Sequence, residues 1–174
     1  MSASSANSAR LVHFAKILIV SDSVSQGASI DKSGPAIKEL LESNGFEITT
    51  LQVTCDGRQE VAAKLIELCE GFHGLVVTSG GTGMAPRDQT PEATLDVIDK
   101  QAPGMAEAMR QVNPLGRLSR AVCGIHNKCL IVNLPGSTNG SLETLGAIID
   151  IIPHALDLMG DSPAPHPLIN YSAT

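Results

Sequence analysis

A glycine-rich turn near the middle of the chain places the tightest constraint on what this sequence can fold into. The apolar run 74–77 leads into the segment TSGGTG at residues 78–83, and a helix signal follows at Thr90-Pro91. Threonine is a frequent N-cap and proline suits the first helical position, so we predict a helix here with Thr90 as its N-cap. A strand, a glycine turn and a helix in this order are typical of ligand sites in α/β sheets.

The residue types in and after this turn suit an anion and a metal ion. The glycines in residues 80–83 permit positive φ and let a ligand approach main-chain amides that face one concavity. Ser79 and Thr82 add hydroxyl groups, Arg87 adds a charged fork, and Asp88 is an oxygen ligand suited to Mg²⁺. Each feature also has a structural explanation, because Arg87 can pair with a carboxylate and Asp88 can bond loop amides.

The turn matches neither of the two common nucleotide-binding fingerprints. No lysine follows Gly83, as a P-loop would require. Residues 84–90 also intervene before the helix, whereas the dinucleotide pattern opens its helix directly. A phosphate site at this turn would therefore be of a different type.

Composition excludes several classes of function. With 174 residues, 43% of them hydrophobic and 17% charged, the chain has the balance of one globular domain. Its formal charge of −6 argues against a nucleic-acid partner, and no stretch is typical of a signal peptide or a membrane span. The cysteines form no C-x-x-C pair, which favours free thiols in a reducing compartment. We expect a cytoplasmic protein with no nucleic-acid or membrane partner.

Alternating strand and helix signals predict a three-layer α/β/α sandwich with a mostly parallel central sheet. We divide the chain into a flexible N-terminal tail (1–12), one α/β domain (13–160) and an extended C-terminal tail (161–174). The predicted strands are 15–20, 46–53, 74–77, 119–125 and 128–134, and the predicted helices are 33–43, 57–70, 93–100, 103–112 and 141–159, the last with a kink or a restart at Pro153. The last two strands can form an antiparallel hairpin or lie as separate neighbours.

Three loops, after residues 20, 78 and 134, are expected to meet at one edge of this sheet, with Asp56 beside them. Asp22 follows the first strand and can either cap a turn or bond a ligand. Asp56 can cap the helix that begins near residue 57, with Gln59 as its capping-box partner, or serve as a second carboxylate at the site. Both alternatives stay open on the sequence alone.

The order of these motifs closely resembles the molybdopterin adenylyltransferase family, which includes the Mog proteins and the gephyrin G domain. The matching segments are VSDS (20–23), TSGGTG (78–83), PRD (86–88), TPEAT (90–94), LSR (118–120) and LPGS (134–137). The similarity extends over about residues 15–160, which is nearly the whole predicted domain. An ordered series of motifs is more specific than any single glycine turn.

This resemblance implies a Mg²⁺-dependent enzyme of molybdenum cofactor biosynthesis. Such an enzyme transfers AMP from ATP to the terminal phosphate of molybdopterin, releases pyrophosphate, forms a homotrimer and works with a molybdate-insertion protein. Asp88 and Asp56 correspond to the family's catalytic, Mg²⁺-binding aspartates. The remaining implied site residues are Ser21, Asp22, Ser79, Gly80, Gly81, Thr82 and Gly83 for phosphate and nucleotide, and Ser119, Arg120, Pro135, Gly136 and Ser137 for molybdopterin.

Two other functions stay open. The first is a non-catalytic molybdopterin-binding protein or trimeric scaffold of the same fold, against which the presence of both Asp56 and Asp88 counts. The second, favoured only if the resemblance is set aside, is an FMN-binding domain of the flavodoxin type. Against it, the chain has no tryptophan and only one tyrosine, Tyr171, to stack on the flavin.

Overall fold

The computed structural model describes residues 12–160, which are organised around a six-stranded sheet. The strands are β1 (His13–Val20), β2 (Phe46–Thr54), β3 (Gly74–Ser79), β4 (Lys100–Gln101), β5 (Cys123–His126) and β6 (Cys129–Leu134). They lie in the order β2-β1-β3-β6-β5-β4. The predicted tails, 1–12 and 161–174, fall outside the described residues except for Val12.

Helices cover both faces of the sheet, which confirms the predicted three-layer α/β/α sandwich. They are α1 (Asp22–Ser25), α2 (Ser33–Ser43), α3 (Arg58–Cys69), α4 (Thr90–Val97), α5 (Pro103–Gln111), α6 (Thr138–Gly146) and α7 (Ile152–Met159), with a 3-10 helix at Pro114–Leu118. One face packs against α2, α5, α6 and α7, and the other packs against α3 and α4. No helix between residues 12 and 160 has the length and apolar character that crossing a bilayer requires.

The parallel part of the sheet consists of β2, β1, β3 and β6. Every residue of β3 and of β6 is buried, as expected for aliphatic strands that are covered on both faces. Along β1, Ile17 and Ile19 face one helix layer, while Leu18 and Val20 face the other. The predicted interior position of the first strand is confirmed, although the strand already begins at His13.

The opposite edge of the sheet is antiparallel. β5 and β6 form a hairpin whose turn contains Asn127 at φ +53, and β4 pairs with β5. The hairpin is therefore the pairing that forms, of the two that the sequence left open. The predicted helix through Lys100 is wrong, because α4 ends at Val97 and Lys100–Gln101 extend the sheet. This edge departs from the parallel order of flavodoxin-type sheets, so the FMN alternative has no support in the topology.

Of two helix predictions at prolines, the N-cap role of Thr90 is wrong, whereas the kink or restart predicted at Pro153 is observed as a restart. Thr90 is the first residue of α4 and not its N-cap, which is Gln89. The Thr90 amide donates to the carbonyl of Gly81 at 3.0 Å, so the glycine turn itself accepts from the start of the helix. The predicted helix 141–159 is two helices, with Pro153 in the first turn of the second. Proline fits there because a first-turn amide has no acceptor within the helix.

All four cysteines are free, as predicted. Cys69, Cys123 and Cys129 are buried and Cys55 is half-buried. Burial raises the pKa of the Cys123 thiol to about 12, because a low-dielectric environment disfavours the thiolate. Cys123 is therefore packed as a small apolar group in the core.

Main-chain segments meet without intervening side chains where the strands β1, β3 and β6 end. Gly80 has φ +114, and a Cβ atom placed on it would lie 2.1 Å from the carbonyl oxygen of Val20. A Cβ on Gly136 would lie 3.3 Å from the Cα of Gly80. The Gly80 amide donates to the carbonyl of Leu134 at 3.1 Å, which joins the ends of β3 and β6. Glycine is required at position 80 both for its φ and for this close approach.

A buried asparagine connects the strands beneath this meeting point. Asn133 on β6 is fully buried, and its Nδ2 donates to the hydroxyl oxygens of Thr78 at 3.1 Å and Thr94 at 2.9 Å. Its Oδ1 accepts from the amide of Val122 at 3.1 Å. One side chain thus ties β6 to β3, to α4 and to the segment that precedes β5.

We expect Gly80→Ala to lower the free energy of unfolding by about 3 kcal/mol or more. The new Cβ would meet the Val20 carbonyl, a backbone atom that cannot rotate away, and an L-residue at this φ is strained. Urea denaturation measures the change. Gly104→Ala is the matched control, since nothing lies within 4 Å of a Cβ at that helical glycine, and it should shift stability by no more than about 1 kcal/mol. Equal stability of the two variants would contradict the close approach.

We expect Asn133→Ala to destabilise the protein by about 2–4 kcal/mol, because it leaves buried donors and acceptors of the network unpaired. The same denaturation experiment gives this value, with an unchanged denaturant slope if only stability is affected. Asn139→Ala, at an exposed position of α6, is the control and should change stability by about 0.5 kcal/mol or less. A neutral Asn133→Ala would show that the network contributes nothing.

Candidate active site

A cleft of about 460 Å³ opens at the carboxyl edge of the parallel strands. We call it the aspartate cleft. It lies beside β1 and β3, whose connections cross opposite faces of the sheet, and open α/β sheets bind ligands at such switch points. The predicted site residues that line it are Ser21, Asp56, Ser79, Gly80, Gly81, Asp88, Gly136 and Ser137. The predicted meeting of the loops after residues 20, 56, 78 and 134 is thus observed.

A second cleft, of about 400 Å³, lies on the other side of the glycine turn. We call it the apolar cleft, because Met109, Leu115 and Leu118 form much of its wall. The predicted site residues that line it are Thr82, Gly83, Ser119, Pro135 and Ser137. Ser137 lines both clefts, and the turn contributes Gly80 and Gly81 to one and Thr82 and Gly83 to the other. The two clefts are therefore neighbours that share the glycine turn.

The glycine turn offers main-chain donors to a ligand. The amides of Gly81, Thr82 and Gly83 make no hydrogen bond with any residue between 12 and 160, whereas the Gly80 amide is bonded within the fold. Gly81 has φ +66, and a Cβ placed on it would come within 3.4 Å of Asp56 Oδ1. Successive unpaired amides in such a turn suit an anion, and the carboxylate beside them suits a cation that accompanies the anion.

Asp22 and Asp56, beside the aspartate cleft, each accept a hydrogen bond from the other's main-chain amide. Asp56 Oδ2 accepts from the Asp22 amide at 2.8 Å, and Asp22 Oδ1 accepts from the Asp56 amide at 3.1 Å. Of the alternatives that the sequence left open for these two residues, the helix-capping one is not observed for either. Ser21 caps α1 by accepting from the Val24 amide, and α3 has Gly57 as an N-cap without a side-chain bond. The reciprocal pair instead couples the loop after β1 to the loop after β2.

Arg87, on the solvent side of this pair, bonds to both aspartates. Its Nε lies 2.8 Å from Asp22 Oδ2, and its Nη2 donates to Asp22 Oδ1 at 3.1 Å and to the Asp56 carbonyl at 2.9 Å. The bond with Asp22 raises the pKa of the Arg87 guanidinium above its ordinary value. The structural explanation for Arg87, pairing with a carboxylate, is therefore the observed one. Its side chain is 65% exposed, so solvent weakens the attraction.

Asp56 and Asp88 each keep one carboxylate oxygen for a cation. Asp88 Oδ2 accepts from the Ala85 amide at 2.9 Å and Asp56 Oδ2 accepts from Asp22, but neither Oδ1 accepts a hydrogen bond from the described part of the chain. Residues 12–160 contain no group of three or more His, Cys, Asp or Glu side chains that could hold a metal. Mg²⁺ commonly takes one or two carboxylates and completes its shell with water and substrate phosphates. The two aspartates therefore fit Mg²⁺ in company with a phosphate ligand.

Two predicted ligand residues have their polar groups bonded inside the protein. The buried Ser79 hydroxyl donates to the Pro135 carbonyl at 3.0 Å. The Arg120 guanidinium donates to the Gly83 and Asp88 carbonyls and pairs with Glu92, and its side chain lines neither cleft. Direct contact of either side chain with a ligand stays a prediction.

Sequence analysis missed Lys32, which lines the aspartate cleft directly before α2. It adds an exposed positive charge to a cleft whose other polar side chains are hydroxyls and carboxylates. The available signal was its position, since the helix that follows the first strand begins at the same sheet edge as the glycine turn. Asn113 and Glu143 of the apolar cleft were missed too, and Asn113 Nδ2 donates to Glu143 Oε2 at 3.1 Å.

Comparison with known proteins agrees with the motif order. The profile of the family described as "Probable molybdopterin binding domain" matches residues 16–154. The molybdopterin adenylyltransferase of Helicobacter pylori J99 is 42% identical over 151 residues, which cover 82% of this chain and 85% of that protein. The molybdopterin adenylyltransferase of Escherichia coli K12 is 40% identical over 142 residues, which cover 77% of this chain and 72% of that protein.

Solved structures agree with this fold as well. The molybdopterin biosynthesis enzyme MoaB from Thermus thermophilus superposes with a TM-score of 0.81 at 40% identity, covering 87% of this chain and 99% of that one. The Mog protein from Mycobacterium ulcerans superposes with a TM-score of 0.79 at 40% identity, covering 86% of this chain and 100% of that one. On its sequence and its structure, the chain belongs to the molybdopterin-binding domain family of molybdenum cofactor biosynthesis proteins.

Proposed function

We propose that this protein is a molybdopterin adenylyltransferase, which transfers AMP from ATP to the terminal phosphate of molybdopterin and releases pyrophosphate. The observation that carries the proposal is the meeting of two clefts of different character at one glycine turn and at Ser137. A reaction that joins two phosphorylated molecules needs both of them to reach the same phosphate-binding centre. The names of the relatives from Helicobacter pylori and Escherichia coli support the same reaction.

The chemistry asks for positioning and charge neutralisation. An oxygen of the molybdopterin phosphate forms a bond to the α-phosphorus of ATP, while the bond from that phosphorus to the oxygen bridging to the β-phosphate breaks. The bridging oxygen leaves with its electron pair as part of pyrophosphate. Since the substrate itself supplies the nucleophile, no side-chain nucleophile is needed, and preorganised donors near the phosphates contribute most of the catalysis.

We assign the triphosphate of ATP to the aspartate cleft. The unpaired amide of Gly81, the start of α6 at Thr138 and the exposed Lys32 are donors or positive charges suited to phosphate oxygens. Asp56 and Asp88 would hold Mg²⁺ through their Oδ1 atoms. When bound, Mg²⁺ would offset phosphate charge and polarise the phosphoryl group. A protein with a formal charge of −6 needs such local compensation to bind two polyanions.

We assign the pterin to the apolar cleft. Met109, Leu115 and Leu118 offer an apolar wall to a flat ring system, and Asn113 and Glu143 offer polar groups to its edge. Ser119, Pro135 and Ser137 line the same cleft together with Thr82 and Gly83 of the glycine turn. In that orientation the terminal phosphate of molybdopterin would point toward Ser137 and the aspartate cleft.

From the resemblance alone, we further propose a cytoplasmic homotrimer that passes its product to a molybdate-insertion protein. Nucleic acids and membranes are not among the partners that we propose. The alternative of a non-catalytic molybdopterin-binding protein or scaffold differs from the enzyme in one measurable respect, because it would bind molybdopterin without releasing pyrophosphate from ATP.

Incubation of the protein with molybdopterin, ATP and Mg²⁺ should release pyrophosphate in a molybdopterin-dependent manner. EDTA should abolish the release, and added Mg²⁺ should restore it, because the phosphate charge is otherwise not offset. A coupled pyrophosphate assay measures both effects. Binding of molybdopterin without any pyrophosphate would favour the non-catalytic alternative, and turnover that resists chelation would contradict the proposed use of Asp56 and Asp88.

We expect Asp88→Asn to reduce turnover by at least about a hundredfold, the scale typical for removing a major electrostatic contributor. Asparagine can still accept the Ala85 amide bond, so the substitution removes the charge and keeps the loop contact. Asp150→Asn, at an exposed position that lines neither cleft, is the matched control and should retain full activity. Unchanged turnover in Asp88→Asn would exclude Asp88 from the mechanism.

A further inference from the structure

The Arg120 side chain lies near the two clefts, and within residues 12–160 its hydrogen bonds go to the loop after the glycine turn and to Glu92. Its Nε donates to the Gly83 carbonyl at 2.8 Å, one Nη group donates to the Asp88 carbonyl, and the other pairs with Glu92 Oε1. Its backbone amide donates to the Thr82 carbonyl at 3.0 Å. The guanidinium therefore holds the two ends of the loop 83–88 and the first turn of α4 in one fixed arrangement.

The other contacts of the loop that Arg120 holds are exposed to solvent. Residues 84–87 are exposed, and the bonds within the loop are those between Ala85 and Asp88, in which the Asp88 amide donates to the Ala85 carbonyl at 2.9 Å and Asp88 Oδ2 accepts from the Ala85 amide. Arg87 reaches across to Asp22 and to the Asp56 carbonyl, and Gln89 Nε2 donates to the Pro86 carbonyl at 3.5 Å, but these bonds are exposed to solvent. The Arg120 side chain, by contrast, is only 33% exposed.

We propose that Arg120 is a positioning residue, which sets the place of Asp88 and of the free amides in the glycine turn without binding molybdopterin itself. This differs from the molybdopterin-binding role that the resemblance implies for Arg120, and it rests on the proposed function in assigning Asp88 to catalysis. The planar guanidinium donates to three acceptors in fixed directions. Lysine cannot bond all three in this geometry, because its side chain has one nitrogen. A misplacement of about 1 Å at a catalytic group can cost about a hundredfold in rate.

The first test needs no enzymatic activity. In Arg120→Lys, hydrogen exchange at the Asp88 and Thr90 amides, which both donate across this loop, should be at least about tenfold faster than in the wild type. Arg58→Lys is the matched control, because Arg58 forms a similar fork to Asp96 between α3 and α4, and it should leave these two amides unchanged. Unchanged exchange in Arg120→Lys would overturn the proposal.

The second test separates positioning from ligand binding. We expect Arg120→Lys to lower kcat by at least about tenfold while KM for molybdopterin changes less than about threefold, because the lost interaction orders Asp88 and does not contact the pterin. Glu92→Gln weakens the contact of Arg120 with α4. We expect it to lower kcat and to speed exchange at the Asp88 amide, both by less than Arg120→Lys does. A large rise in KM for molybdopterin with kcat retained would overturn the proposal and restore the ligand-binding role.

The two tests also separate this proposal from the proposed function. If the wild type releases no pyrophosphate, the proposed function fails, and exchange at the Asp88 and Thr90 amides still decides whether Arg120 fixes the loop. If Arg120→Lys does not fold, Glu92→Gln carries both measurements. A Glu92→Gln variant with wild-type exchange and wild-type kcat would then count against the positioning role of Arg120.

Discussion

The candidate site depends on a contact between main-chain segments at the carboxyl edge of the sheet. Gly80 lies so close to the Val20 carbonyl and to Gly136 that no side chain fits between them. This contact brings the ends of β1, β3 and β6 to one point, and the buried Asn133 holds the strands together just below it. The turn that this contact holds contains the unpaired amides of Gly81, Thr82 and Gly83, and these residues line the two clefts.

The charged side chains at this edge of the sheet form two groups, which we call the inner and the outer tier. The inner tier is the Arg120 fork, which lies outside both clefts and holds the loop that carries Asp88. The outer tier is the pair of Asp22 with Asp56, closed by an exposed Arg87. Arg120 donates to the main-chain carbonyl of Asp88, and Arg87 donates to that of Asp56. The Oδ2 atoms of both aspartates accept from main-chain amides, and their Oδ1 atoms accept no hydrogen bond from residues 12–160. An acidic protein can therefore offer a site to phosphates through local donors and a metal, without a positive overall charge.

Sequence reasoning succeeded where one local rule dominated and failed where tertiary contacts competed with it. Continuous aliphatic runs identified β1, β3 and β6, because strands covered on both faces leave no place for polar residues. Thr90 satisfied the preferences of an N-cap, yet its amide is taken by Gly81 and the helix already includes it. Asp56 had a plausible capping partner, but its carboxylate accepts from the amide of Asp22 instead. Lys100 read as helical because a two-residue edge strand has no periodicity to detect.

The sequence by itself determined the layered α/β architecture, the glycine turn, the set of residues at its rim and the family, because each of these is written in short segments of fixed order. Only the tertiary structure decided which of those residues line a cleft. Ser79 and Arg120 have their polar groups bonded inside the protein. Lys32, Asn113 and Glu143 line the clefts, although they belong to none of the matching sequence motifs. Orientation depends on the donors and acceptors that distant segments bring close, and these segments meet only when the chain has folded.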